Sequence, residues 1–314
     1  MKIIVTGALG HIGSKLIRDL PIYFKELDII MIDNLTTQRF TSLFNLPKNN
    51  ANYKFFYKDI TKDDLNLIFQ NADIVIHLAA LTEATASVDS PEEYEKVNYL
   101  GTKNILDLCK KNSVKVIHFS STSIYGTKKE IVDEDCDMDD INPQSPYAAT
   151  KLKEEILVKN YYENYGVKAT TLRLGSICGI SPGMRFHAAI SKFCFQASTG
   201  QSISVWKTAL NQKRPYLNIN DAIRAIAFII NNDLFSGDVF NIVTSNFSVN
   251  EIINIIQKHL PKTQVELVNS KIMNNLSYNV SSQKIISKGF KFLSTIEDGV
   301  KDTIDLFKSI NKSI

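Results

Sequence analysis

The sequence predicts an α/β protein, a doubly wound parallel sheet with a smaller, mixed α/β lobe behind it. Three observations predict it. Short, nearly continuous Ile/Val runs alternate with longer helical patterns through the first half. A glycine run stands immediately behind the first apolar run, and after Gly179 the texture changes to short strands mixed with helices. Strands covered on both faces have no polar side to present, so they read as apolar runs rather than as alternations.

Taken in order, residues 2–6, 28–32, 52–57, 73–77 and 114–120 read as strands of the sheet. Helices are predicted over 11–20, 62–69 and 91–112. The third opens on Pro91 behind Ser90 as its N-cap, where a fixed φ and a missing N–H cost nothing. A helix over 145–165 leads into a strand at 168–174. Ile180-Ser181-Pro182-Gly183 then signals a turn. A strand is expected at 202–205, and helices at 220–232, 248–259 and 295–310. No repeat or low-complexity segment separates the halves, so two intimately packed lobes are expected, one over 1–174 and one over 175–314, with the chain crossing between them around 218–245.

The 314 residues, 44% hydrophobic and 22% charged, suffice for one large or two modest cores of a soluble protein. A net charge of +3, with Lys and Arg dispersed, argues against a nucleic-acid partner. Cys109, Cys136, Cys178 and Cys194 lie far apart without a CxxC pair, and the five histidines have no ligand spacing. No metal is expected, and a reducing cytoplasm fits. The opening run Lys2-Ile3-Ile4-Val5 is too short for a signal peptide. No later run approaches the ~20 residues a membrane span needs, so no membrane is expected.

Gly7-Ala8-Leu9-Gly10-His11-Ile12-Gly13 follows the first strand and opens the first helix. Glycines there let backbone approach a pyrophosphate, whose charge suits a helix N-terminus. Asp33, twenty residues beyond Gly13 at a strand end, is placed to accept from adenosine ribose hydroxyls and to repel a 2′-phosphate. Asn34-Leu35-Thr36-Thr37 puts no cation beside it, which favours NAD, while Arg39 leaves NADP open.

Downstream, Ser120-Ser121-Thr122-Ser123-Ile124-Tyr125-Gly126 ends a strand, and Pro146-Tyr147-Ala148-Ala149-Thr150-Lys151 opens a helix. Four residues apart, Tyr147 and Lys151 share one helix face. A tyrosine normally ionises near pH ~10. A neighbouring ammonium together with a positive nicotinamide ring would favour the phenolate and make it a usable base, with Ser121 holding the substrate oxygen.

With these residues assembled, the chain resembles the extended short-chain dehydrogenases, specifically the NAD-dependent sugar epimerase/dehydratase group with its UDP-glucose 4-epimerase-like members. The likeness runs over nearly the whole length. It includes Asp59-Ile60, His77-Leu78-Ala79-Ala80, Asn98 in Asn98-Tyr99-Leu100-Gly101-Thr102, Arg214-Pro215-Tyr216-Leu217, and Ile296-Glu297-Asp298-Gly299. The resemblance implies a Rossmann-type NAD-binding domain and a substrate lobe. It implies that Asp59 and Ile60 flank the adenine, that Leu78, Ala79 and Ala80 line the cofactor, and that Asn98 binds the cofactor near the active centre. Ser121, Tyr147 and Lys151 take the catalytic positions, Lys151 also holding the nicotinamide ribose, and Arg214 clamps a substrate diphosphate.

Dehydratases of this family carry an Asp-Glu pair, and decarboxylases a glutamate, where this chain has Thr122 and Ser123, which are expected to face the sugar. Elimination of water is thereby disfavoured. Gly175-Ser176-Ile177-Cys178-Gly179 replaces the usual asparagine-bearing segment with Ser176. With the stretch to Arg185 it is similar to a subgroup acting on unusual nucleotide-activated sugars, a heptose-oxidising relative among them. Arg185 is either a second phosphate or sugar contact or a solvated arginine at a helix start. Trp206 either stacks on a base or packs half-buried. The expected activity is epimerisation at carbon 4 of a nucleotide-diphosphate hexose through a keto intermediate. The alternatives are a net dehydrogenase or reductase on the same substrate class, and a non-catalytic NAD-binding regulator. A homodimer built on the helices at 91–112 and 145–165 is implied by the resemblance.

Overall fold

The computed structural model describes residues 1–48, 51–126, 129–186, 188–269 and 277–308. In chain order the first half runs β1 (Lys2–Thr6), α1 (His11–Tyr23), β2 (Leu27–Asp33), β3 (Ala51–Tyr57), α2 (Asn66–Phe69), β4 (Ile74–His77), α3 (Pro91–Tyr94), a π-helical stretch (Glu95–Leu100), α4 (Gly101–Asn112), β5 (Lys115–Ser121), β6 (Ile131–Val132), α5 (Pro146–Tyr165) and β7 (Ala169–Leu174). The second half runs β8 (Ser176–Cys178), α6 (Ala189–Ser198), β9 (Ile203–Trp206), β10 (Lys213–Asn218), α7 (Ile219–Asn231), β11 (Ser236–Ile242), β12 (Ser245–Ser248), α8 (Val249–His259), β13 (Val265–Val268), β14 (Asn279–Val280), α9 (Gln283–Ser287) and α10 (Ile296–Phe307).

Seven strands form one sheet in the order β11-β7-β5-β4-β1-β2-β3, and every pair in it is parallel. The chain leaves β1 outward through β2 and β3, then returns to the other side of β1 and proceeds outward again. The reversal between β1 and β4 opens a crevice at the carboxyl ends of the strands, the usual place for a ligand in such sheets. Both faces are covered. Ile3 and Val5 pack with Leu16, Ile17 and Leu20 of α1 and Ile226 and Ile229 of α7. Ile4, between them in sequence, points the other way, toward Ile105 and Leu106 of α4 and Val158 of α5. This two-sided burial is what the continuous apolar runs express. A separate core joins α6, α8 and α10 around Ile190, Ile252, Ile256 and Val300.

Four elements differ from expectation. The helix predicted over 62–69 is reduced to Asn66–Phe69. Asp59 Oδ1 accepts from Thr61 N at 2.9 Å and Asp64 Oδ1 from Asn66 N at 2.9 Å, and such side-chain turns compete with helix initiation. The helix predicted over 91–112 is helical throughout, but widens to π geometry at Glu95–Leu100. The seventh strand, Ser236–Ile242, joins the central sheet from the second half of the chain. Its Gly237 and Asp238 mask the apolar signal, and a register irregularity falls between Ser236 and Val239. The helix expected over 295–310 is Ile296–Phe307, and positions 309 and 310 lie outside the described residues. Among the described residues no helix is long and apolar enough to cross a membrane, and no group of His, Cys, Asp and Glu is placed to hold a metal.

The second half is fastened onto the glycine loop through the turn at 180–183. Gly183 N donates to Ser14 Oγ at 2.9 Å, and Gly179 O lies 2.9 Å from His11 Nε2. A Cβ on Gly183 would stand 2.1 Å from Leu9 O and 2.6 Å from Gly10 O, both backbone atoms that cannot rotate away. Gly183→Ala is therefore expected to destabilise the protein by about 2 kcal/mol, the scale of overpacking. Urea unfolding checks this as a lowered midpoint.

Candidate active site

β1 ends at Thr6, and Gly7 turns the chain at φ +63°, a left-handed conformation that glycine adopts freely. A Cβ there would meet Ala79 N at 2.7 Å, and one on Gly13 would meet Gly7 O at 2.5 Å. The loop can therefore close down on the end of β4, and α1 can start directly against β1. Gly10 is the N-cap of α1. No side chain caps it, and the first turn carries no acidic residue. The positive end of the helix is thus left for an anion. Asp33, at the end of β2, accepts from Leu9 N at 3.0 Å and Leu35 N at 2.9 Å, one bond on each oxygen. The carboxylate braces the glycine loop while keeping a lone pair on each oxygen for a ribose hydroxyl.

A cavity of about 980 Å³ runs from this loop across the strand ends to β9 and β10. Gly7, Gly10, His11, Ile12, Gly13, Asp33, Asn34, Asp59 and Ile60 line one end, and Leu78, Ala79 and Ala80 its floor. Ser121, Tyr147 and Lys151 lie at its middle, and Ser176, Arg185, Trp206 and Arg214 toward the other end. Asn98 is not among the lining residues. It is fully buried, its amide spent on Leu81, accepting from Leu81 N at 2.8 Å and donating to Leu81 O at 2.9 Å. Direct cofactor contact by Asn98 is therefore corrected to support of the loop that carries Leu81 and Thr82. Thr122 also lines the cavity, with its hydroxyl donating to Leu174 O at 3.2 Å.

Ser121 Oγ accepts from Ser123 N at 3.2 Å and from Ser123 Oγ at 2.9 Å. With its lone pairs so engaged, its own proton is directed away from Ser123. The Tyr147 phenol is hydrogen-bonded to Ser121, while Tyr147 N donates to Ser87 Oγ at 3.1 Å and fixes the start of α5. Lys151, only 5% exposed, extends beneath. Burial raises the ionisation of Tyr147 above that of a free phenol, with Lys151, Ser121 and Arg185 opposing it. The Lys151 ammonium is itself engaged by Glu154, at 2.9 Å, whose charge works with burial to favour the neutral phenol.

Two guanidinium groups approach each other in the cavity. Burial first, then repulsion from Arg185, lowers Arg39 to about 10, against attraction from Asp33. Arg185 donates to Thr82 Oγ1 and lies within electrostatic reach of Tyr147. Arg185 is half-buried and lines the cavity. Arg214 donates to Lys213 O at 3.0 Å and Gln212 Oε1 at 2.7 Å. Facing cations in a shared cavity are relieved by an anion between them. Thr82, Lys192 and Tyr278 also line the cavity. Nothing in their spacing marked them, because they sit on irregular segments or at chain positions far from the motifs.

The model of the NAD-dependent epimerase/dehydratase family matches residues 3–243, and the chain belongs to that family. A putative UDP-glucose 4-epimerase of Methanocaldococcus jannaschii is 31% identical over 322 residues, covering 99% of this chain and 100% of the relative. A trifunctional UDP-glucose 4,6-dehydratase/3,5-epimerase/reductase of Arabidopsis thaliana is 30% identical over 320 residues. That match takes in 98% of this chain but 47% of the plant protein, so the chain spans about half the length of that relative. Among solved structures, a UDP-glucuronic acid 4-epimerase of Bacillus cereus, in complex with UDP-glucuronic acid and NAD, aligns with a TM-score of 0.86 at 27% identity, covering 99% of this chain and 100% of that one. The fold is that of the extended short-chain dehydrogenases, with the Rossmann-type sheet expected from the sequence.

Beneath the site, His77 is buried and held neutral. Burial first, then the nearby His118 and Lys151, pushes its ionisation down to about 3. The unfolded chain, with a histidine near 6.5, binds a proton that the folded one refuses. Stability from this residue is present above about pH 6.5 and is lost as pH falls toward 3, at about 1.4 kcal/mol per pH unit. Chemical unfolding followed between pH 7 and 5, before carboxylates titrate, is expected to show this slope, and His77→Gln is expected to flatten it.

Proposed function

We propose that the protein is an NAD-dependent nucleotide-diphosphate-sugar epimerase that inverts carbon 4 through a keto intermediate. The observation that carries the reading is the convergence of Ser121, Tyr147 and Lys151 on the cavity beside an uncapped, glycine-lined helix start. The 4-epimerases among its relatives support carbon 4 as the reacting position.

The glycine loop, the open N-terminus of α1 and the free lone pairs of Asp33 fit a dinucleotide with its pyrophosphate on α1. When bound, NAD supplies the hydride acceptor and, in the return step, the donor. Tyr147 Oη takes the proton of the C4 hydroxyl and gives it back, while the Ser121 hydroxyl donates to the same sugar oxygen and holds it in line. Lys151 keeps a cation near the phenol and would hold the nicotinamide ribose. Arg214 binds the substrate diphosphate, with Arg185 as a second contact to the phosphate or the sugar. Ser123, through Ser121, and Ser176 contribute hydroxyls to the sugar pocket.

No carboxylate occupies 122 or 123, so there is no adjacent base for deprotonating carbon 5, and water elimination is not expected. Net oxidation or reduction at carbon 4, for example of a nucleotide-activated heptose, is the second reading, favoured by the unusual segment from Gly175 to Arg185. The retained Ser, Tyr and Lys argue against a non-catalytic regulator.

The deciding experiment incubates the protein with UDP-, GDP-, dTDP- and CDP-sugars, with and without added NAD, and follows NADH absorbance alongside product stereochemistry. An inverted sugar without NADH accumulation is expected, and Tyr147→Phe is expected to lose at least 100-fold in kcat, on the order of a positioned acid–base group. Stoichiometric NADH would transfer the assignment to the dehydrogenase. Cellular function left untouched by Tyr147→Phe would favour the regulator. We further propose a homodimer packed through α4 and α5, where Ile156 is 60% exposed. Light scattering is expected to return twice the chain mass, and Ile156→Glu to return the chain mass alone.

A further inference from the structure

Glu154 lies one turn beyond Lys151 and two beyond Tyr147 on α5, so all three occupy one side of the helix. Its side chain is 1% exposed. One oxygen, Oε2, is 2.9 Å from Lys151 Nζ, 3.0 Å from His118 Nε2 and 3.1 Å from Thr102 Oγ1. The other, Oε1, has no partner among the described residues.

The directions of these bonds follow from chemistry. An ionised carboxylate only accepts, so Lys151, His118 Nε2–H and the Thr102 hydroxyl all donate to it. With its proton spent on Glu154, Thr102 Oγ1 accepts from His77 Nε2, 3.0 Å away. His77 Nδ1 then accepts from the Thr6 hydroxyl at 2.7 Å. Donors from β1, β4, α4, β5 and α5 thus run in one sense and end on one oxygen next to Lys151. The titratable groups facing it are Lys151 and Tyr147 on α5, His118 on β5 and, through Thr102, His77 on β4. Lys151 and His118 hold Glu154 ionised against the burial that opposes its charge.

A carboxylate serving only to brace the core would be expected to use both oxygens, since an unpaired buried acceptor costs stability. An apolar side chain could fill the same space without burying a charge. The three donors instead converge on the oxygen that meets Lys151, which is the arrangement needed to act on the ammonium.

We propose that Glu154 is a positioning residue, whose carboxylate fixes the Lys151 ammonium and raises the proton affinity of the Tyr147–Lys151 pair. The proposal rests on the reading of Tyr147 as the proton-transfer group. A phenol made too acidic by an uncompensated ammonium would accept a hydroxyl proton poorly. A reaction that takes a proton from an oxygen and returns it needs both directions to be accessible. Glu154 offsets part of the Lys151 charge and keeps the phenol between those limits.

The test titrates the Tyr147 phenolate directly, from the near-ultraviolet difference between NAD-loaded protein and NAD-loaded Tyr147→Phe. This needs no turnover and no identified sugar. Glu154→Gln, which removes the charge, is expected to lower the midpoint by about one pH unit. Glu154→Asp, which withdraws the charge from Lys151, is expected to lower it by less. Thr102→Val removes one donor but leaves the charge, and is expected to reduce thermal stability without moving the midpoint. A merely structural carboxylate predicts stability losses in all three and no ordered shift. An unmoved or raised midpoint in Glu154→Gln, or in Glu154→Asp should only the latter fold, overturns the proposal. Failure of the underlying reading is distinct: Tyr147→Phe would then turn over nucleotide sugars as wild type does, whatever the Glu154 variants show.

Discussion

The site depends on one close approach, that of Gly7 to the end of β4. β1 and β4 are hydrogen-bonded neighbours although two further strands and their connections separate them in sequence. A chain that turned outward from β1 with any side chain at position 7 would drive a carbon to within 2.7 Å of Ala79 N. The turn would have to lift away, α1 would start farther from the sheet, and its N-terminus would no longer face the crevice. Strand order creates the crevice, but glycine makes it shallow enough for backbone N–H groups to form its floor.

A second constraint is electrostatic. The chain carries a net charge of only +3, yet Arg39, Arg185, Arg214 and Lys192 all line one cavity. They come from different parts of the molecule: Arg39 follows β2, whereas the others belong to the second half. Burial first, and then the neighbouring Arg185, lowers the ionisation of Arg39, so the two cations repel each other across the cavity. The contacts of Gly179 and Gly183 with His11 and Ser14 oppose that repulsion mechanically, since they fasten the segment preceding Arg185 to the glycine loop. Anion binding and lobe packing are therefore one problem here. A ligand bearing two diphosphates, or two ligands bearing one each, would relieve the repulsion that the turn at 180–183 otherwise restrains.

How much of this was legible in the sequence follows from which forces leave a local trace. Burial on both faces of the sheet writes itself into continuous apolar runs, so β1, β2, β4 and β5 were readable. The glycine loop was readable because its chemistry requires glycine at fixed spacing, and Tyr147 with Lys151 because one helix turn sets their separation. β11 was not readable. It lies at the sheet edge, carries Gly237 and Asp238, and is placed by pairing with β7, more than 60 residues away in the chain. Asn98 appeared as a site residue because sequence position records proximity and not direction, and the π-helical stretch turns its amide onto Leu81. Thr122 lines the cavity with its neighbours, but its hydroxyl bond to Leu174 O joins residues 52 apart and leaves no trace in the local sequence. Glu154 carried no signal at all, because a glutamate on a helix is ordinarily a solvated residue.

That silence points to how α5 is oriented. The helix has no apolar stripe to set its rotation, since its buried residues include Lys151, Glu154 and Glu155 alongside Ala148, Val158 and Tyr161. Neighbouring helix positions point about 100° apart, so Glu154 and Glu155 address different partners. Glu154 meets Lys151, His118 and Thr102. Glu155 meets the Arg173 guanidinium of β7 at 2.8 to 3.2 Å. Arg173 in turn donates to the Tyr125 hydroxyl at 2.7 Å, tying in the loop that begins at Ser121. Buried ion pairs of this kind add little net stability over a well-packed apolar substitute, but a single rotation of the helix satisfies both at once. An apolar stripe tolerates some rotational slippage, whereas two charge pairs on one turn do not. The rotation they select is the one that aims Tyr147 at Ser121, so the polar residues that cost α5 an apolar face are the ones that aim it.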